Sequence, residues 1–122
     1  MKFTCTQENL IKGLNIVSKI SGKNVSLPIL NNILISVNNE GVDLSATNLE
    51  IGIKTKIRSK TEDSGKITVP ARILTSFVNY LPDEKVNFEL IGNEIKITSG
   101  SWKTKIKTQP AEDYPLIPEV EE

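Results

Sequence analysis

The sequence predicts an α+β fold in which one strand-helix-three-strand unit is used twice. Apolar residues recur at helical spacing in only two stretches, Leu10, Leu14, Val17 and Ile20, then Leu74, Phe77, Val78 and Leu81. A short alternating segment precedes each stretch, and three more follow it, separated by turn residues. The openings match as well, Lys2-Phe3-Thr4-Cys5 against Lys66-Ile67-Thr68-Val69.

Each element follows from local chemistry. Residues 2–6 alternate as a strand and lead into a helix over residues 7–20, which Ser21-Gly22-Lys23-Asn24 ends. Pro28 keeps Leu27 extended before a strand predicted over residues 29–37. Asn38-Asn39-Glu40-Gly41 is a hairpin turn, residues 42–46 form the next strand, and Thr47-Asn48 turns the chain into a strand over residues 49–57. Residues 59–65 read as a polar linker. The second unit has a strand at residues 66–69, Pro70 at a helix start and a helix over residues 71–81. Strands at residues 86–91, 94–98 and 101–108 complete it, with Gly92-Asn93 and Ser99-Gly100 as turns. The units span residues 1–58 and 66–108, followed by a terminal segment, residues 109–122. Two such units in one chain imply internal pseudo-symmetry, with the helices side by side against antiparallel strands.

At 122 residues the chain is one domain, long enough to bury about two-thirds of its unfolded surface. It has 38% hydrophobic and 25% charged residues, and no apolar run approaches the roughly 20 residues of a membrane span, so a soluble protein is expected. The start Met1-Lys2-Phe3-Thr4 is not a secretory signal, which makes a cytoplasmic location the expectation. One cysteine excludes an internal disulfide, and zero histidines remove triad chemistry and most metal sites. Ser21-Gly22-Lys23 and Ser64-Gly65-Lys66 lack the spacing of a phosphate loop. Glu62-Asp63 and Asp83-Glu84 fall in predicted turns or linkers, so no enzyme and no cofactor is expected. The net charge of zero hides an asymmetry: residues 112–122 hold five acids and no base, which leaves 15 basic and 10 acidic residues, or +5, in the rest.

The predicted outward stripes are Glu8, Lys12, Asn15 and Lys19 on the first helix and Arg72, Thr75, Ser76 and Asn79 on the second. Glu8, in a first turn where an acid suits the helix dipole, is the sole carboxylate among them. Such a surface lies beside phosphates without repelling them. The competing reading is an ordinary solvated helix face.

Taken together in order, several segments give the chain a family likeness: Met1-Lys2-Phe3-Thr4, Leu27-Pro28-Ile29-Leu30, Ala46-Thr47-Asn48-Leu49-Glu50, Val69-Pro70-Ala71-Arg72, Leu81-Pro82, Thr98-Ser99-Gly100 and Pro110-Ala111-Glu112-Asp113-Tyr114-Pro115. The chain resembles the N-terminal domain of the bacterial DNA sliding clamp, the beta subunit of DNA polymerase III. The resemblance implies a DNA-clamp fold, two βαβββ units with helices lining a pore and sheets outside. It also implies a subunit of three such domains, closed head to tail with a second clamp subunit around duplex DNA as a processivity factor. The acidic end, residues 116–122, then looks like the connection to a next domain. DNA polymerase III and the clamp loader would bind through domains beyond this one.

By position, Arg72 matches the family's DNA-contacting arginine after Val-Pro-Ala. A second family arginine falls where this chain has Asn24, and the adjacent Lys23 can supply the charge. Lys12, Asn15, Lys19 and Asn79 join the proposed DNA-binding set from their places on the stripes. The strand over residues 101–108 matches an edge that pairs with the other subunit, with Lys103, Lys105 and Lys107 basic and Ile106 at an apolar contact. Alternating lysines also keep an unpartnered edge from aggregating. Trp102 reads as core or interface, with core favoured. The alternatives are a β-rich interaction module that uses this basic edge without DNA, and a single-strand binder, which 5% aromatic content disfavours.

Overall fold

A computed structural model describes residues 1–21 and 26–115. The first half runs β1 (Lys2–Thr6), α1 (Gln7–Val17), a 3-10 turn (Pro28–Asn31), β2 (Asn32–Asn38), β3 (Gly41–Thr47), β4 (Gly52–Ile57) and β5 (Lys60–Asp63). The second runs β6 (Gly65–Pro70), α2 (Ala71–Asn79), β7 (Lys85–Ile91), β8 (Glu94–Ser99), β9 (Trp102–Lys107), β10 (Gln109–Pro110) and a 3-10 turn at Ala111–Asp113. The βαβββ order therefore occurs twice, in an α+β fold as expected.

The two units do not form separate sheets. The strands assemble as β5-β1-β7-β8-β9 and β10-β6-β2-β3-β4, so each half contributes its first strand to the sheet of the other. β1 pairs antiparallel with β7, placing Phe3 opposite Phe88, and β6 pairs antiparallel with β2, placing Val69 opposite Ile33. This exchange makes the halves one cooperative body, because neither sheet can be completed by one unit alone.

Alternation along the strands sends one row of side chains inward. Phe3, Cys5, Val86, Phe88, Ile95, Ile97 and Ile106 come from one sheet, and Ile33, Ile35, Val42, Leu44, Ile67 and Val69 from the other. The Phe3 and Phe88 rings stack with centroids 4.5 Å apart. Leu10, Leu14 and Val17 of α1 and Leu74 and Val78 of α2 complete the same core. Close approach of α1 to the second sheet requires glycine at position 13, where a Cβ would come within 2.9 Å of Leu44 and 3.0 Å of Ile57.

Several boundaries differ from expectation for local reasons. α1 stops at Val17, not at residue 20: the Ser18 N–H and hydroxyl both donate to the Leu14 carbonyl, at 2.9 and 2.6 Å, and the Ile20 N–H then donates to Val17 in a tighter three-residue turn. α2 stops at Asn79, and the Tyr80 and Leu81 N–H groups donate to Phe77 and Val78, a tightening into three-residue turns before Pro82. Residues 28–31 form a 3-10 turn, so the strand expected from residue 29 begins at Asn32. The expected linker contains β5, which pairs with β1 and closes that edge of the sheet. β10 closes β6 in the same way, so even these short strands obey the pseudo-symmetry.

Candidate nucleic-acid interface

The two helices lie against each other, and Gln7 Nε2 donates 3.1 Å to the Val78 carbonyl. The start of α1 is therefore beside the end of α2, an antiparallel pair. Thr6 begins α1 by accepting from the Asn9 N–H at 3.2 Å, whereas Pro70 begins α2 without a side-chain cap. With Leu10, Leu14, Leu74 and Val78 inward, the opposite side of the pair is left to solvent.

That side exposes Glu8, Lys12, Asn15 and Lys19 from the first helix and the turn after it, with Arg72, Ser76 and Asn79 from the second. Lys12 Nζ lies 3.3 Å from Glu8 Oε1 in an exposed i,i+4 pair, so water and salt loosen its hold. Among the described residues, Lys19 and Arg72 form no salt bridge. Thr75, expected outward, is half-buried, and its hydroxyl has no hydrogen-bond partner among the described residues. Lys23 and Asn24 lie outside the described residues.

The sequence reading missed three exposed side chains here: Ile16, Ile73 and Tyr80. Ile73 falls beside the Leu74, Phe77, Val78 and Leu81 stripe and not within it, a signal available from helical phase alone. Tyr80 is the residue just past α2 and is 78% exposed.

The β9 edge forms a second charged region. Lys103, Lys105 and Lys107 are exposed on one side of β9, and no strand among the described residues pairs with its far side. Lys105 sits opposite Lys96 of β8, a like-charge cross-strand pair. Two expectations about this strand change. Ile106 lies opposite Ile95 and is buried in the chain's own core, so its side chain as it stands is not presented to a partner. Trp102, for which core was favoured over interface, is 51% exposed, because it begins the strand opposite Ser99 at the end of the sheet.

Burial pushes the Cys5 thiol up to about 12, which keeps it protonated and unreactive. Among the described residues no three potential metal-ligating side chains cluster. No helix of the described residues is long and apolar enough to cross a membrane.

A duplicated βαβββ chain with exchanged first strands and one antiparallel helix pair defines the clamp class of fold. Residues 1–118 match the family described as "DNA polymerase III beta subunit, N-terminal domain". The beta sliding clamp of Vibrio cholerae is 39% identical over 96% of this chain and 32% of its own length, and that of Vibrio harveyi is 36% identical over 96% and 82%. Among solved structures, the DNA polymerase sliding clamp of Caulobacter crescentus superposes with a TM-score of 0.92 at 30% identity, covering 98% of this chain and 33% of that one. The DNA polymerase III subunit beta of Pseudomonas aeruginosa gives 0.90 at 30% identity, over 98% and 33%. The chain belongs to the DNA polymerase III beta sliding-clamp family and corresponds to its N-terminal domain. It spans about a third of the length of most of these relatives.

Proposed function

We infer that this chain serves as the first domain of a ring that encircles duplex DNA and keeps a replicative polymerase on its template, without catalysing a reaction itself. The observation that carries this reading is the antiparallel helix pair, whose exposed side offers Lys12, Lys19 and Arg72 against one carboxylate, Glu8. Long basic side chains on rigid helices make exchangeable contacts with phosphates, which hold DNA by position and not by sequence. Weak contacts suit a ring, because topology supplies the retention and tight binding would prevent sliding.

Arg72 is the principal phosphate contact, since it is exposed at the start of α2 without an acid holding it. Lys12, Asn15, Lys19 and Asn79 extend the contact line along both helices. Lys23 and Asn24 are assigned to the same face by family resemblance. The free β9 edge with Lys103, Lys105 and Lys107 is the surface for the second clamp subunit, where backbone pairing gives affinity and the lysines select an acidic counterpart. DNA polymerase III and the clamp loader would engage the other domains of a complete subunit.

Fluorescence anisotropy with a short duplex at increasing salt tests the DNA contact. The expected result is feeble binding that weakens steeply with salt, and a slope reduced by about one on Arg72→Ala. An unchanged slope removes Arg72 from the interface. Nanomolar binding insensitive to salt overturns the reading as a whole.

A further inference from the structure

We propose that Ile16 and Ile73 form an apolar contact pad within the helix face, which touches the deoxyribose edges of duplex DNA between the phosphates held by Lys19 and Arg72. The inference rests on the helix-face reading above and adds the part of that face which charge does not explain. Ile16 is 40% exposed and Ile73 is 55% exposed. Ile16 is the penultimate residue of α1, and Ile73 is the third residue of α2. Because the helices run antiparallel, both isoleucines lie at the same end of the pair.

Single exposed apolar residues are ordinary on any protein. Two β-branched ones at one end of a paired helix surface are different, since each lowers helix propensity and leaves apolar area in water that a lysine or glutamate would not. No segment among the described residues covers them.

Charge selects the occupant. Arg72 adjoins Ile73 in sequence, and Lys19 follows Ile16 by three residues, exposed in the turn after α1. The one acid of the face, Glu8, precedes Ile16 by eight residues, about 12 Å along the axis at 1.5 Å per residue, and is paired with Lys12. A ligand that satisfies this end must present anionic groups with apolar carbon between them, the pattern of a nucleic-acid backbone. Apolar contact with sugar edges carries no sequence information and forms no directional bond, so it adds affinity without resisting movement along the duplex.

The test is methyl NMR on the whole chain with labelled isoleucine δ1 carbons, titrated with a short DNA duplex. The structure supplies its own controls, because Ile51 at 56% and Ile91 at 50% are comparably exposed but belong to neither helix. The expected result is that the Ile16 and Ile73 methyls shift and show contacts to sugar protons, while Ile51 and Ile91 stay still. In parallel, Ile73→Ser should weaken duplex binding about threefold with the salt slope unchanged, the signature of a contact that releases no counterions. If the Arg72 Nε signal moves while the Ile73 methyl does not, the pad is overturned and the phosphate reading survives. If neither moves, both fall. Methyl shifts that follow protein concentration without DNA mean that a second copy covers the face, and they also overturn the pad.

Discussion

The two five-stranded sheets share a topology but not an outer surface. On the β10-β6-β2-β3-β4 sheet, the outer row Asn32, Ser45, Thr47 and Thr68 is buried, although every member is polar. The segment after β9 covers this row. Tyr114 is buried there, accepting from the Thr47 N–H at 3.1 Å and donating 3.2 Å to the Asn32 carbonyl. Asn32 Nδ2 donates 3.0 Å to Thr68 Oγ1, whose hydroxyl donates in turn to the Gln109 carbonyl. Among the described residues, the β5-β1-β7-β8-β9 sheet carries no such strap. Its outer rows expose Lys2, Lys103, Lys105 and Lys107, and Lys2 lies 3.5 Å from Glu62 and 3.9 Å from Glu89. The two sheets share one strand order, while the segment after β9 covers the Asn32, Ser45, Thr47 and Thr68 end of one outer face, whose Lys54, Lys56 and Lys66 stay exposed, and no such segment among the described residues covers the other.

Substitutions can break this contrast in order of size. Phe88→Ala removes a ring stacked on Phe3 in the core that both halves share, and should cost about 3–5 kcal/mol in denaturant unfolding. A single cooperative transition is expected, since the exchanged strands tie the sheets together; two separated transitions would contradict that coupling.

Tyr114→Phe should cost about 1–3 kcal/mol, because it leaves the buried Thr47 N–H and Asn32 carbonyl without the hydroxyl that joins them. Burial raises the Tyr114 phenol above its ordinary value of 10.0, and the Thr47 N–H only partly opposes this. The neutral phenol is thus favoured by folding: its contribution is complete below pH 10.0 and is lost as pH rises through the raised value. Cys5, raised from 9.0 to about 12, acts in the same direction over that range. Alkaline titration of unfolding should therefore show a loss of stability that Tyr114→Phe partly abolishes; an unchanged alkaline profile would detach Tyr114 from it.

The smallest effect is expected on the open sheet. Lys105→Glu replaces a like-charge pair with Lys96 by an opposite-charge pair and should stabilise the isolated chain by about 0.2–1 kcal/mol. The same change should weaken pairing of β9 with an acidic partner edge, read by ultracentrifugation of complete subunits. Stabilisation without loss of association would remove Lys105 from the subunit joint.

Much of this architecture was legible in sequence because local periodicity and turn chemistry act within a few residues. The repeated opening strand, the two amphipathic helices and the turns at Asn38-Asn39-Glu40-Gly41 and Gly92-Asn93 all declare themselves that way. Helix phase likewise identified Lys12, Asn15, Lys19, Arg72 and Asn79 as outward. β5 escaped notice since Lys60-Thr61-Glu62-Asp63 has no apolar face and owes its strand form to the backbone groups of β1. The favoured core reading of Trp102 failed for a related reason: an aromatic residue is core only if another element stands over it, and none among the described residues does at the end of β9. Sequence alone thus determined the order of the two βαβββ units and the side of each of those elements that faces the core. Only tertiary structure decided which strands pair and where a strap covers an outer face, because those outcomes depend on hydrogen bonds between residues far apart in the chain, from Phe3 against Phe88 to Asn32 against Tyr114.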